Sequence, residues 1–115
     1  MKFNIYDTLS KVIYLDKKRD KKMELIFKEN PRCVYYYSLE ILKGRWIEGE
    51  PALFDKQRES YDKKYALMYI KNVVKERISD YEEIIVQDIS LKDAYINMLK
   101  KKASKQDYAE FLLFS

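Results

Sequence analysis

Residues 30–53, NPRCVYYYSLEILKGRWIEGEPAL, decide the fold. Asn30 suits an N-cap and Pro31 falls at the first helical position, where a missing N–H costs nothing. Val34, Tyr37, Ser38 and Ile41 recur at helical spacing and lay down one mostly apolar stripe. Gly44 is expected to stop this helix, because a C′ residue usually needs positive φ and glycine takes it without strain. Trp46 and Ile47 follow, and Glu48 and Glu50 lead into Pro51. The stretch therefore predicts a longer helix, a corner and a short acidic helix.

On the N-terminal side, Asp7 or Thr8 is expected to cap a first helix carrying Leu9, Val12 and Ile13. The opening residues 1–7 alternate in character and fit either an extended segment or a helix start. Asp16 to Lys22 reads as a solvated charged link or a helix start, and Met23, Ile26 and Phe27 form a second helical set. On the C-terminal side, Asp55–Ser60 is polar and Asp62 can cap a long helix with Tyr65, Met68, Tyr69 and Val73, widened by Ala66, Ile70 and Val74. Ser79, Ser90 and Ser104 each precede an acid by three residues, Glu82, Asp93 and Asp107, a spacing that predicts three helix starts. The stripes after them are Ile84 and Ile85; Leu91, Ala94, Tyr95, Met98 and Leu99; and Tyr108, Phe111 and Leu112.

Bulk composition agrees with helices. Only two glycines and two prolines occur in 115 residues, too few for the turns of a sandwich or barrel. Aromatic residues make up 15%, which favours a packed core over disorder. The balance of 23 basic against 19 acidic residues leaves a mild net charge of +4, insufficient alone to imply a nucleic-acid binder. Cys33 is the single cysteine and histidine is absent, so an intrachain disulfide is impossible and the usual zinc sites are excluded. No apolar run approaches a membrane span and the first residues lack a signal-peptide core, so a cytoplasmic protein without membrane contact is expected.

Aligning YSLEILKGRWIEGE (residues 37–50) with YIKNVVKERISDYE (residues 69–82) gives a constant offset of 32, with coincidences at Tyr37/Tyr69, Lys43/Lys75, Arg45/Arg77 and Glu50/Glu82. A looser copy starts at Tyr95, about 26 residues on. Periods of this size belong to stacked helix pairs. The expected architecture is a single all-α domain, a short array of stacked helix pairs or small α-solenoid-like bundle. Its parts are N-terminal helices in 1–29 and pair units at 30–54, 60–86 and 90–113.

The segment KGRWIEGEP, with YYYSLEIL before it and YALMYIKNVVKER after it, resembles a repeat abundant in bacteriophage and giant-virus proteins, of the form YAxxVIKGRWPEAEPxI. The likeness covers roughly Asn30 to Leu113 and decays through the later units. Ile47 stands where that family has proline, and the second unit lacks both the glycine and the tryptophan. The resemblance implies a viral origin and a helical-repeat fold, and it carries over no catalytic residue.

Candidate sites are few. Tyr35, Tyr36 and Tyr37 are consecutive and about 100° apart on a helix, so they cannot all face one core. Either a tyrosine contributes to a binding surface, or all three pack beneath neighbouring helices. Arg45 and Trp46 at the corner invite the same choice between recognition and plugging a joint. Glu48, Glu50, Asp55 and Glu59 lack a metal-ligand spacing and read as a solvated acidic face. Cys33 has no histidine to activate it and reads as a buried structural thiol. The basic residues Lys17, Lys18, Arg19, Lys21 and Lys22, then Lys100, Lys101, Lys102 and Lys105, suit a phosphate backbone or the dipole at a helix C-terminus.

These features predict a non-enzymatic protein without cofactor or metal. The leading expectation is a small phage-type module that occludes a host protein or defence complex, such as a CRISPR effector, with Tyr35, Tyr36, Arg45 and Trp46 as candidate contacts. The alternatives are a nucleic-acid-binding accessory protein using Lys17, Lys18, Arg19, Lys100, Lys101, Lys102 and Lys105, and a self-assembling structural protein whose apolar C-terminal FLLFS offers an end face.

Overall fold

A computed structural model describes residues 3–114, apart from the Phe114 side chain; Met1, Lys2 and Ser115, which belong to the opening and closing stretches read above, lie outside it. The described residues are helical and contain no strand. Four leading helices, each the longer member of its pair once the π turns that prolong the first two are included, alternate with four returning ones. The longer are α1 (Ile5–Lys11), α3 (Pro31–Tyr37), α5 (Lys63–Asn72) and α7 (Ile89–Lys102), and the shorter are α2 (Lys21–Phe27), α4 (Glu50–Phe54), α6 (Glu82–Val86) and α8 (Lys105–Phe114). Helix α3 packs between α1 and α5, and α5 packs on α7, so the longer helices form one row. The molecule is a slab with extents of 52 × 28 × 18 Å.

Each longer helix starts on a short amide or carboxylate side chain that takes up orphan N–H groups. Asn4, Asn30, Asp62 and Asp88 all do so, at steps of 26, 32 and 26 residues (4 to 30, 30 to 62, 62 to 88). The first 29 residues are therefore a repeat unit in their own right. The first cap is Asn4, not Asp7 or Thr8: Asn4 Oδ1 accepts from Tyr6 N at 2.9 Å and Asp7 N at 3.4 Å. Among the three serines, Ser104 caps as expected, accepting from Asp107 N at 3.0 Å. Ser90 does not, because Asp88 Oδ1 already takes its N–H and Oγ–H and the N–H of Leu91. Ser79 makes no cap either; it opens a 3-10 turn, Ser79–Tyr81, and Glu82 is engaged elsewhere.

The corner after α3 also departs from expectation. Helix α3 widens into a π turn, Ser38–Leu42, as α1 does at Val12–Asp16. In the wider turn the carbonyl of Ser38 receives both Lys43 N and Gly44 N, so closure falls one residue early. The left-handed residue is thus Lys43 (φ 57°), matched by Lys17 (φ 54°), while Gly44 has no positive φ. The glycine that matters sterically is Gly49. A Cβ there would stand 2.9 Å from Trp46 Cε3 and 2.9 Å from Val34 Cγ1.

The core follows the helical stripes. Tyr37, Tyr69 and Tyr95 are among the largest fully buried side chains, with Phe27, Phe54 and Phe111. Two expected core positions are instead exposed: Ile26 and Leu112 project outward. Ile47 is likewise 65% exposed beside buried Trp46. In α2 the second inward position is Glu24, for reasons that its partners make plain.

Candidate binding surfaces

Three times the chain builds the same joint. After each of the first three longer helices, an arginine pairs bidentately with the glutamate five residues on: Arg19 with Glu24 at 2.9 and 2.9 Å, Arg45 with Glu50 at 2.8 and 2.8 Å, Arg77 with Glu82 at 2.9 and 2.6 Å. A tyrosine from the next longer helix then reaches back. Tyr37 donates to Glu24 at 2.6 Å, Tyr69 to Glu50 at 2.7 Å, and Tyr95 to Glu82. The same hydroxyl accepts the N–H just after the arginine, from Asp20, Trp46 and Ile78 at 2.9, 2.8 and 2.9 Å. Each clasp thus ties a corner, a short helix and the following unit at one point. An acid from the following unit adds to two of them, Glu76 on Arg45 at 3.5 Å and Glu110 on Arg77 at 3.2 Å.

The electrostatics follow from this wiring. Arg19, seconded by Tyr37, holds the Glu24 carboxyl below the usual carboxylate range against the effect of burial. At Glu82 burial opposes ionisation, and the bonds from Arg77 and Tyr95 overcome it. Burial and the facing Glu24 push the Tyr37 phenol up to about 12, and burial with the facing carboxylate raises Tyr69 and Tyr95 as well. Glu24 and Glu82 are thus held as acceptors, while each clasp tyrosine donates its proton to a carboxylate and accepts a backbone N–H.

This arrangement relocates most of the expected contact residues. Tyr35 and Trp46 are 2% and 3% exposed, so neither presents a surface to a partner; Tyr35 Oη accepts from Asn72 Nδ2 at 2.8 Å. Tyr37 and Arg45 belong to clasps. Tyr36 alone of the three tyrosines is half-buried and reaches the surface. Glu50, read as part of a solvated acidic face, is fully buried beneath Arg45 and Tyr69. Cys33 is buried and burial pushes its thiol up to about 12, in keeping with a structural role.

Tyr36 does lie on a surface that the sequence did not single out. A groove between α1 and α3 is lined by Tyr6, Leu9, Ser10, Ile13, Tyr14, Arg32 and Tyr36. Arg32 sits over the Tyr6 ring at 4.4 Å, and Tyr6 Oη accepts from Asn30 Nδ2 at 3.2 Å. The Tyr36 ring lies 4.9 Å from Tyr35 and 6.5 Å from Tyr65, extending the aromatic surface toward α5. The signal for this face was the i, i+8 pair Tyr6 and Tyr14, which a search for apolar stripes passes over.

Of the lysine candidates, Lys17, Lys18, Lys100, Lys101, Lys102 and Lys105 are exposed. Arg19 is not free, being committed to Glu24, and Lys102 Nζ donates to the carbonyl of Lys71 at 2.6 Å. No cluster of potential metal ligands occurs among the described residues, and no helix there is long and apolar enough to cross a membrane.

The fold and its clasps define an all-α protein of packed helix pairs. No protein-family model, no curated protein and no solved structure matches the chain.

Proposed function

We propose that the chain is a non-enzymatic protein-binding module whose contact face is the tyrosine-lined groove between α1 and α3. The supporting observation is the grouping of Tyr6, Tyr14 and Tyr36 with Arg32 along one exposed groove. Tyrosine and arginine offer large contact area with polar tips and dominate interface hot spots. The carboxylates with the strongest surroundings, Glu24, Glu50 and Glu82, are already held by arginine and tyrosine, which leaves them to the fold rather than to proton transfer. The finer reading is an inhibitor of a host protein or defence complex, such as a CRISPR effector, acting in the host cytoplasm. It rests on the resemblance of KGRWIEGEP to a viral repeat.

The test is affinity capture from bacterial lysate, with and without nuclease, using the tagged chain and its Tyr14→Ser/Arg32→Ser variant. The proposal expects a discrete protein that survives nuclease and moderate salt and is lost with the variant. Equal capture by both forms, or recovery of nucleic acid alone, would overturn it. Both substituted side chains are exposed, so the variant should fold.

A further inference from the structure

We propose that the slab edge formed by the C-terminal ends of the longer helices binds the phosphate backbone of nucleic acid. The longer helices run parallel, since a short returning helix separates each from the next. Their ends therefore share an edge: Lys43 and Lys75 line one groove there, and Lys71, Lys101 and Lys102 line the adjacent one. Lys17 takes the place in the first unit that Lys43 takes in the second. All six are exposed.

A helix C-terminus favours a cation, and Lys102 serves α5 in this way through the Lys71 carbonyl. That role does not account for the rest. Lys17, Lys43, Lys71, Lys75 and Lys101 form no ion pair among the described residues. Nearby acids are partly spent, Asp16 on Lys11 and Glu76 on Arg45; Glu40 remains at the edge, with Glu48 and Asp80 on the short-helix starts. Lys17 and Lys43 also hold left-handed backbone, where glycine would be free of strain and lysine is not. Helices pack roughly 8–10 Å apart, and each step of that size passes about three phosphates of one duplex strand. A row of cations at that pitch suits a repeating backbone and reads no base.

The full-length protein can be titrated into a labelled 24-base-pair duplex of arbitrary sequence, from 50 to 300 mM salt, with anisotropy as readout. Neutralising about four phosphates predicts a slope near −3.6 for log K against log salt. Lys43→Gln/Lys75→Gln should weaken binding about tenfold or more at 100 mM salt and flatten the slope by about two. Lys56→Gln/Lys64→Gln, exposed substitutions of equal charge at the other end of the helices, should change affinity less than about twofold. Circular dichroism checks that each variant is folded. Absence of duplex binding at 50 mM salt, equal losses in the two variants, or tighter binding to anionic lipid vesicles or to an acidic protein than to the duplex would overturn the proposal.

Discussion

Gly49 and Gly44 look alike in the sequence and play opposite parts in the structure. Gly49 lets Trp46 and Val34 close over the backbone, so Gly49→Ala should destabilise by about 1–3 kcal/mol through overpacking. Gly44 has open space where a Cβ would stand and no positive φ, so Gly44→Ala should be neutral or stabilise by about 0.4–1 kcal/mol. Urea midpoints of the two variants check the contrast. Ser38 offers a second residue-level test. Its Oγ is buried without a hydrogen-bond partner, and the matching positions in the first and third units are Val12 and Ile70. Ser38→Ala should therefore raise stability, by about 1 kcal/mol, in the same assay. Asn30 and Pro31 made the central helix start legible, whereas the π turn that moved positive φ onto Lys43 has no local signature. Spacing alone could not distinguish a capping serine from one that follows a better cap, as Ser90 follows Asp88.

At the scale of elements, the clasp explains why charged residues enter the core beside aromatic ones. The link Asp16 to Lys22 read as solvated because its partners lie beyond it, in Glu24 and Tyr37. Burial differs between the clasps: the Arg19 side chain is 50% exposed, Arg45 only 20% and Glu50 not at all. Removing Arg45 alone would strand a buried carboxylate, a change that typically costs about 3–5 kcal/mol. The clasps also set two limits on pH. Glu24 and Glu82 have depressed values in the fold, so their contribution is present above the ordinary carboxylate value of about 4.3 and is lost as pH falls below it. Tyr37 is raised to about 12, so its contribution is present below the ordinary tyrosine value of about 10 and is lost as pH rises from there toward 12. Thermal midpoints measured across pH should form a plateau with an acid and an alkaline decline, the alkaline one smaller in Tyr37→Phe.

For the whole molecule, the offset of 32 between Tyr37–Glu50 and Tyr69–Glu82 made the helix-pair array readable. The first unit was missed because it keeps Asn4, Lys17, Arg19 and Glu24 but has Lys11 where the later units have tyrosine. Without a tyrosine there, the first unit has no hydroxyl to offer to a glutamate of another copy. In the last corner the same register sets Ala103 and Tyr108 in place of arginine and glutamate. The outer units thus offer no half-clasp to a second copy, and light scattering should find a monomer at micromolar concentration; a concentration-dependent filament would argue for the self-assembly reading. The candidate surfaces were less legible than the fold, because exposure depends on which tyrosines the clasps consume. That makes the clasp the central claim. The most direct test is a double-mutant cycle on Glu50→Gln and Tyr69→Phe, with unfolding free energies from urea titrations. Residues joined in one buried network should couple by about 0.5–3 kcal/mol; additive effects within about 0.3 kcal/mol would show that Tyr69 packs beside Glu50 without holding it.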